Sequence, residues 1–131
     1  MKRHVLLLPV LLAMAACDTP GSVGGASVAS GAKGATLAFQ ADPTFGERLS
    51  RGQWRQLAAA EREALDFASA GRSVEWASRT GRASGTVIVS APFRVTDREC
   101  RRFEHRLTAG GDGSVRGVAC REGEAGWTLV S

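Results

Sequence analysis

The sequence predicts an α+β domain in which one N-terminal helix packs on a small antiparallel sheet of four or five strands. The apolar residues recur every three or four positions up to Phe67, which is the period of a helix. After Gly71 they alternate with polar residues, which is the period of a half-buried strand. The strands follow one another through short turns, so an antiparallel sheet is expected instead of a parallel one.

The helix is predicted to begin at Ser50, because Ser50 and Gln53 have the spacing of a capping box. Gly71 is well placed to end it. One side of the helix forms an apolar stripe of Leu57, Ala60, Ala64 and Phe67, widened by Trp54 and Leu65. The other side is expected to be solvated and carries Glu61, Arg62, Glu63 and Asp66.

Five strand segments follow the helix. The first contains Val74 and Trp76 and leads into a turn at residues 79–82. The other four are predicted at residues 85–90, 98–108, 114–121 and 127–130. Core packing is the favoured role of Trp76 and Trp127, with ligand contact as the alternative.

The third and fourth strands are predicted to form a hairpin around the glycine-rich residues 109–111. Placing Cys100 opposite Cys120 centres the turn on Gly110, although the glycines play no part in choosing that register. The same register pairs opposite charges across the strands, Glu104 with Arg116 and Glu99 with Arg121. It also gives an apolar face of Phe103, His105, Leu107, Val115, Gly117 and Ala119 and a polar face of Arg102, Glu104, Arg106, Ser114 and Arg116.

The N-terminus has the form of an export signal. A short basic start at residues 1–4 is followed by an apolar run at residues 5–13 and by small residues up to Cys17. The cysteine at the expected cleavage point makes this segment resemble a bacterial lipoprotein signal. The resemblance implies that Cys17 becomes the first residue of the mature chain and carries covalent lipid. An ordinary secretory signal is the alternative.

Export also bears on the remaining cysteines. Cys100 and Cys120 form an even pair once Cys17 is used for lipid, and disulfides persist outside the cytoplasm. They are therefore predicted to form one structural disulfide. The alternative, a metal site made of Cys100, His105 and Cys120, lacks a fourth ligand at a familiar spacing.

The chain divides into three predicted parts. Residues 1–16 are the signal peptide, residues 17–44 are the lipidated N-terminus with a Gly-, Ser- and Ala-rich linker, and residues 45–131 are the folded domain. Such a linker spans roughly 30 Å as a coil; a glycine-zipper hairpin in the membrane is the alternative. Removing Lys2 and Arg3 with the signal lowers the formal charge from +4 to +2, so a nucleic-acid partner is not expected.

No catalytic residue, metal site or cofactor other than the lipid on Cys17 is predicted. His105 is the one histidine of the mature chain, and its register places it on the core face. A carboxylate pair for glycan hydrolysis could be drawn from Glu99, Glu104, Asp112, Glu122 and Glu124, but two of these already have arginine partners. One basic cluster could contact an anionic surface or form a solvated strand face: Arg98, Arg101, Arg102 and Arg106.

Several short motifs together resemble the C-terminal domain of the 17 kDa surface antigen family. They are found at residues 71–76, 80–81, 85–87, 100–103, 117–121 and 126–130. The similarity covers about residues 64–130. It implies a bacterial envelope lipoprotein without an assigned catalytic activity.

These features predict a non-catalytic envelope lipoprotein that acts as a structural or interaction module. The expected partners are a membrane, through the lipid anchor, and envelope proteins or lipopolysaccharide. The outer membrane is favoured over the inner membrane, with the domain in the periplasm or at the cell surface. The alternatives are a periplasmic binding or inhibitor module for an exported protein and, third, an enzyme acting on cell-wall glycan.

Overall fold

The computed structural model describes residues 33–131, so the predicted signal peptide, Cys17 and the first part of the predicted linker lie outside the described residues. In this part of the chain, helices α1 Leu37–Ala41 and α2 Arg51–Phe67 precede the strands β1 Ser73–Ala77, β2 Ser84–Val89, β3 Phe93–Val95, β4 Arg98–Ala109, β5 Ser114–Arg121 and β6 Thr128–Leu129. The strands form one antiparallel sheet in the order β1-β2-β4-β5-β6, and β3 pairs with β4. Within residues 33–131, no helix is long and apolar enough to cross a membrane.

The α2 helix begins as predicted. The Ser50 hydroxyl accepts a hydrogen bond from the Gln53 backbone N–H at 3.2 Å, and the Gln53 side chain accepts one from the Ser50 backbone N–H at 2.8 Å. The helix ends at Phe67 and is capped by Ala68, so the prediction that Gly71 ends it is wrong. Gly71 instead lies in the turn before β1, with a φ of +76° that favours glycine.

Two predictions about the faces of α2 are also wrong. Glu61 is buried, and the Phe67 side chain is 82% exposed. The helical period explains Glu61, because it lies four residues from both Leu57 and Leu65 and so falls in the middle of the buried stripe. Phe67 is the last residue of the helix and lies at the margin of that stripe.

The sheet follows the predicted segments closely. The bounds of β5 are those predicted, β4 is one residue longer at its end, and β2 and β6 differ from the prediction by one residue at each end. Strand β3, which was not predicted, is a three-residue strand after Pro92 that pairs Phe93 with Cys100. It is too short to show an alternating pattern.

The predicted hairpin register is confirmed. In the β4–β5 pair, Cys100 lies opposite Cys120, Glu104 opposite Arg116 and Glu99 opposite Arg121. Cys100 and Cys120 form a disulfide, as predicted. The predicted core positions Phe103, His105, Leu107, Val115 and Ala119 are buried.

The predicted boundary at residue 45 is corrected by the position of α1. Thr36, Leu37 and Ala38 are buried in the segment that was assigned to the linker, and Phe45 joins them in the core. Thr36 caps α1 by accepting a hydrogen bond from the Phe39 N–H at 3.3 Å. A five-residue helix is too short to show a helical period, so no sequence pattern indicated it.

Loss of the disulfide is expected to destabilise the domain substantially. It closes a loop with a sequence separation of 20 residues, and the chain-entropy model assigns such a cross-link about 3 kcal/mol. The double variant Cys100→Ser with Cys120→Ser should lose about that much free energy of unfolding in urea titrations. Wild-type protein kept in a reducing agent is the control and should match the variant. Equal stability of oxidised and reduced wild type would contradict a stabilising role.

Candidate functional site

A buried carboxylate joins three elements of the fold. Glu61 of α2 accepts hydrogen bonds from the backbone N–H groups of Leu37 at 2.8 Å and Ala38 at 3.2 Å, which open helix α1. Its Oε2 atom also lies 2.7 Å from Nε2 of His105 on β4. The first N–H groups of a helix have no partner within the helix, so the carboxylate of Glu61 caps α1 from the side.

The surroundings of His105 indicate the direction of its hydrogen bond to Glu61. His105 is 1% exposed, and its Nδ1 atom has no hydrogen-bond partner among the described residues. A buried N–H without an acceptor is costly, and a bare ring nitrogen costs less. The arrangement therefore fits an imidazole ring whose Nε2–H donates to Glu61, in agreement with a structural role for His105.

A second buried charge, Arg101, lies under the C-terminal end of α2. Its guanidinium donates to the carbonyl oxygens of Leu65 at 3.0 Å, Ala68 at 2.6 Å and Ser90 at 2.8 Å, with a longer bond to Ala64 at 3.3 Å. The last carbonyls of a helix have no partner within it and carry the negative end of the helix dipole. Burial lowers the pKa of Arg101, and the nearby carboxylate of Glu99 opposes that shift.

The predicted anionic-surface contact is wrong for Arg101, which is 4% exposed. Arg102 and Arg106 are exposed on the face of the sheet that the helices leave open, and Arg98 is half-buried at the start of β4. Arg102 lies over the ring of Phe93 at 4.7 Å from its centroid.

The open face also holds the predicted cross-strand ion pair. Glu104 Oε1 lies 2.7 Å from an Arg106 nitrogen, and Oε2 lies 3.0 Å from Nε of Arg116. These contacts, chiefly the hydrogen bond from Arg106, hold the pKa of Glu104 below its ordinary value. With Glu99 near Arg121 at 3.5 Å, two of the five carboxylates considered for glycan hydrolysis are engaged with arginines.

A cleft lies beside α2, between the start of α1 and the loop that joins β5 to β6. It encloses about 540 Å³. Ala58, Ala59 and Leu65 give it an apolar wall, and the exposed Arg55 and Arg62 stand along the same helix.

Three side chains close one end of this cleft. Asp66 accepts hydrogen bonds from the indole Nε1–H of Trp127 at 2.8 Å and from Arg121 at 3.3 Å. Arg121 lies over the Trp127 ring at 4.6 Å from its centroid. Trp127 is therefore a half-buried packing residue that fastens the β5–β6 loop to α2. The carboxylate of Asp66 is occupied by these donors, and no cluster of three metal-ligating side chains exists within residues 33–131.

Comparison with known proteins decides the family. The sequence model of the 17 kDa outer membrane surface antigens matches residues 63–128, which run from the last turns of α2 to β6. This chain belongs to the 17 kDa outer membrane surface antigen family. The expectation drawn from the short motifs is thereby confirmed. Neither the curated proteins nor the solved structures contain a match to the chain.

The matched region of this surface antigen contains Arg101 and His105 but begins two residues after Glu61. Helix α1 and the first three turns of α2 also precede it. The residue that fastens α1 to the domain therefore lies outside the part of the chain that identifies the family.

Removing the charge of Glu61 is expected to loosen α1. In the wild type, both carboxylate oxygens of Glu61 accept hydrogen bonds. In Glu61→Gln, the amide oxygen can still accept, but an NH₂ group replaces the other oxygen. That NH₂ group is itself a donor and would face N–H donors. Charge-assisted hydrogen bonds contribute about 1.5–3 kcal/mol, so a loss of about 2 kcal/mol in the free energy of unfolding is expected.

Hydrogen exchange would locate this effect. The amides of Leu37 and Ala38 should exchange faster in Glu61→Gln than in the wild type, relative to the amides of β4. Glu63→Gln is the matched control, since Glu63 is exposed on the same helix, and it should change stability by less than about 0.5 kcal/mol. Equal effects of the two substitutions would contradict the capping role of Glu61.

Arg101 is expected to resist replacement even by lysine. A lysine ammonium has three donors at one point and cannot reproduce the planar fork that reaches carbonyls of both α2 and Ser90. Arg101→Lys should therefore cost about 2 kcal/mol of unfolding free energy. Arg102→Lys, one residue away on the open face, should cost less than about 0.5 kcal/mol. Thermal or urea unfolding of the pair tests this, and a smaller loss for Arg101→Lys than for Arg102→Lys would refute it.

Proposed function

We propose that this protein is a lipid-anchored lipoprotein of the outer membrane, and that its domain is a non-catalytic interaction module. Family membership supports association with the outer membrane or the cell surface. The position of Cys17, after a basic start, an apolar run and small residues, supports covalent lipid as the means of attachment.

The proposed non-catalytic role is supported by the contacts that the buried charged and ionisable groups make. Glu61, Arg101 and His105 are the buried charged or ionisable side chains of the described residues, and each holds one element of the fold against another. General acid–base catalysis needs such a group to face a substrate with its proton available for transfer. Here these groups face backbone or each other.

The docking of α1 sets the distance between the proposed anchor and the domain. Because Thr36 and Leu37 are buried and Thr36 bonds to the Lys33 carbonyl, no more than residues 18–32 separate Cys17 from the folded part. A Gly-, Ser- and Ala-rich chain of that length would span about 20 Å as a coil. The domain would thus stay within about its own diameter of the membrane surface.

Metabolic labelling tests the anchor. Cells that express the full chain are fed an alkyne-tagged palmitate, and the label on the protein is read after reaction with an azide dye. Wild-type protein should carry the label and sediment with the outer membrane, because two or three acyl chains hold a protein stably in a bilayer. Cys17→Ser should lose the label and leave the outer membrane fraction.

The double variant Cys100→Ser with Cys120→Ser is the matched control for loss of cysteine. It should keep the label, since the proposal assigns lipid to Cys17 alone. Label that remains on Cys17→Ser, or unchanged membrane association of that variant, would overturn the anchoring proposal.

A further inference from the structure

Strand β1 is an edge of the sheet within the described residues, and its outer backbone groups are available. The Ser78 N–H donates to the Ala83 carbonyl of the β1–β2 hairpin at 2.8 Å, so Ser78 points its backbone toward β2. Backbone direction alternates along an antiparallel strand. The N–H and C=O groups of Ser73, Glu75 and Ala77 therefore point away from the sheet, and all three residues are exposed.

A groove runs beside this edge, at the C-terminal turn of α2. It encloses about 380 Å³ and is lined by side chains of α2, of the following turn and of β1. Phe67 is the most exposed large apolar side chain of the described residues, at 82%. Val74, half-buried on the helix side of β1, forms the neighbouring apolar surface. A strand added to β1 would place every second side chain against Phe67 and Val74.

The charges of this surface indicate what the added strand should carry. Glu63 and Glu75 line the groove together with Arg72, and none of the three has an ion-pair partner among the described residues. Pairing of two β1 strands about Glu75 would set two like charges directly opposite each other, which is unfavourable. A second copy of this chain is therefore a poor occupant, and a basic strand is a good one.

We infer that the β1 edge, with Phe67 as the apolar anchor, binds an extended segment of another envelope protein in which apolar and basic residues alternate. The backbone of that segment continues the antiparallel sheet. Its apolar side chains face Phe67 and Val74, and a basic side chain faces Glu75. A bilayer is a poorer match, because hydrocarbon has no donors or acceptors for the open edge. This inference does not depend on lipid at Cys17.

The test uses the full chain purified in detergent and, as the probe, a blocked synthetic peptide of about seven residues that alternates valine and lysine. Two-dimensional ¹⁵N NMR should show the largest shifts at the amides of Ser73, Glu75 and Ala77. A peptide that is N-methylated at alternate residues should bind at least roughly tenfold more weakly, since it lacks the N–H donors that the edge requires.

Substitutions then separate the contribution of the apolar anchor Phe67 to peptide binding from the contribution of the charge of Glu75. Phe67→Ala should weaken binding about tenfold, and Glu75→Lys should reverse the preference between the lysine peptide and its glutamate counterpart. Arg55→Ala, exposed on the cleft side of α2, is the matched control and should bind like the wild type. Both Phe67 and Glu75 are exposed, so these variants should keep their fold, which the NMR spectrum checks.

Three outcomes would overturn the inference. One is tight binding of the N-methylated peptide, and another is a set of shifts confined to the cleft beside Arg55. The third is that the full chain does not bind the peptides, whereas Phe67→Ala weakens its adsorption to phosphatidylglycerol vesicles. That result would make Phe67 a membrane contact. Because peptide binding is read without lipid attachment, failure of this inference is distinct from failure of the proposed anchor.

Discussion

The structure depends first on the compensation of one buried carboxylate. Glu61 is 6% exposed, and a buried carboxylate is tolerated only where donors replace its water. The donors come from two backbone groups of α1 and the ring of His105 on β4. The same contacts that satisfy the charge therefore hold the N-terminal segment, α2 and the sheet together. Helix α1 is part of the domain because its N–H groups are donors to Glu61.

Two further links act on the same helix toward its C-terminal end. Arg101 binds the final carbonyls of α2 to the sheet, and Asp66 binds the β5–β6 loop through Trp127. Three polar attachments along the second half of one helix fix its position more specifically than an apolar stripe alone, because hydrogen bonds have preferred directions. They also leave the opposite face of the sheet and the β1 edge uncovered, and these surfaces remain for partners.

The parts of the fold that the sequence predicts are those with local signals. The capping box of α2 depends on residues three apart, and the β4–β5 register depends on cysteines, glycines and charges that agree with one another. The helical position of Glu61 lies within the apolar stripe, but its charge predicted a surface residue, because its partners on α1 and β4 are 23 to 44 residues away and give no local signal. The burial of Arg101 could have been predicted, because Arg101 shares the odd-numbered, core-facing register of Phe103 and His105 on β4. The groove at Phe67 could not be predicted, since the exposure of Phe67 depends on where the sheet ends.

The topology places helix α1 and the β1 edge toward opposite ends of the sheet. Helix α1, where the chain from Cys17 arrives, packs against β5 and β6, whereas β1 is the far edge of the order β1-β2-β4-β5-β6. Three strand spacings of about 4.8 Å put β1 roughly 14 Å from β5. A domain held to a membrane through α1 would therefore present β1 away from the attachment point. An added strand on β1 would extend the sheet in the direction away from α1, because the hydrogen bonds to Glu61 and the packing on β5 and β6 hold α1 at the other end of the sheet.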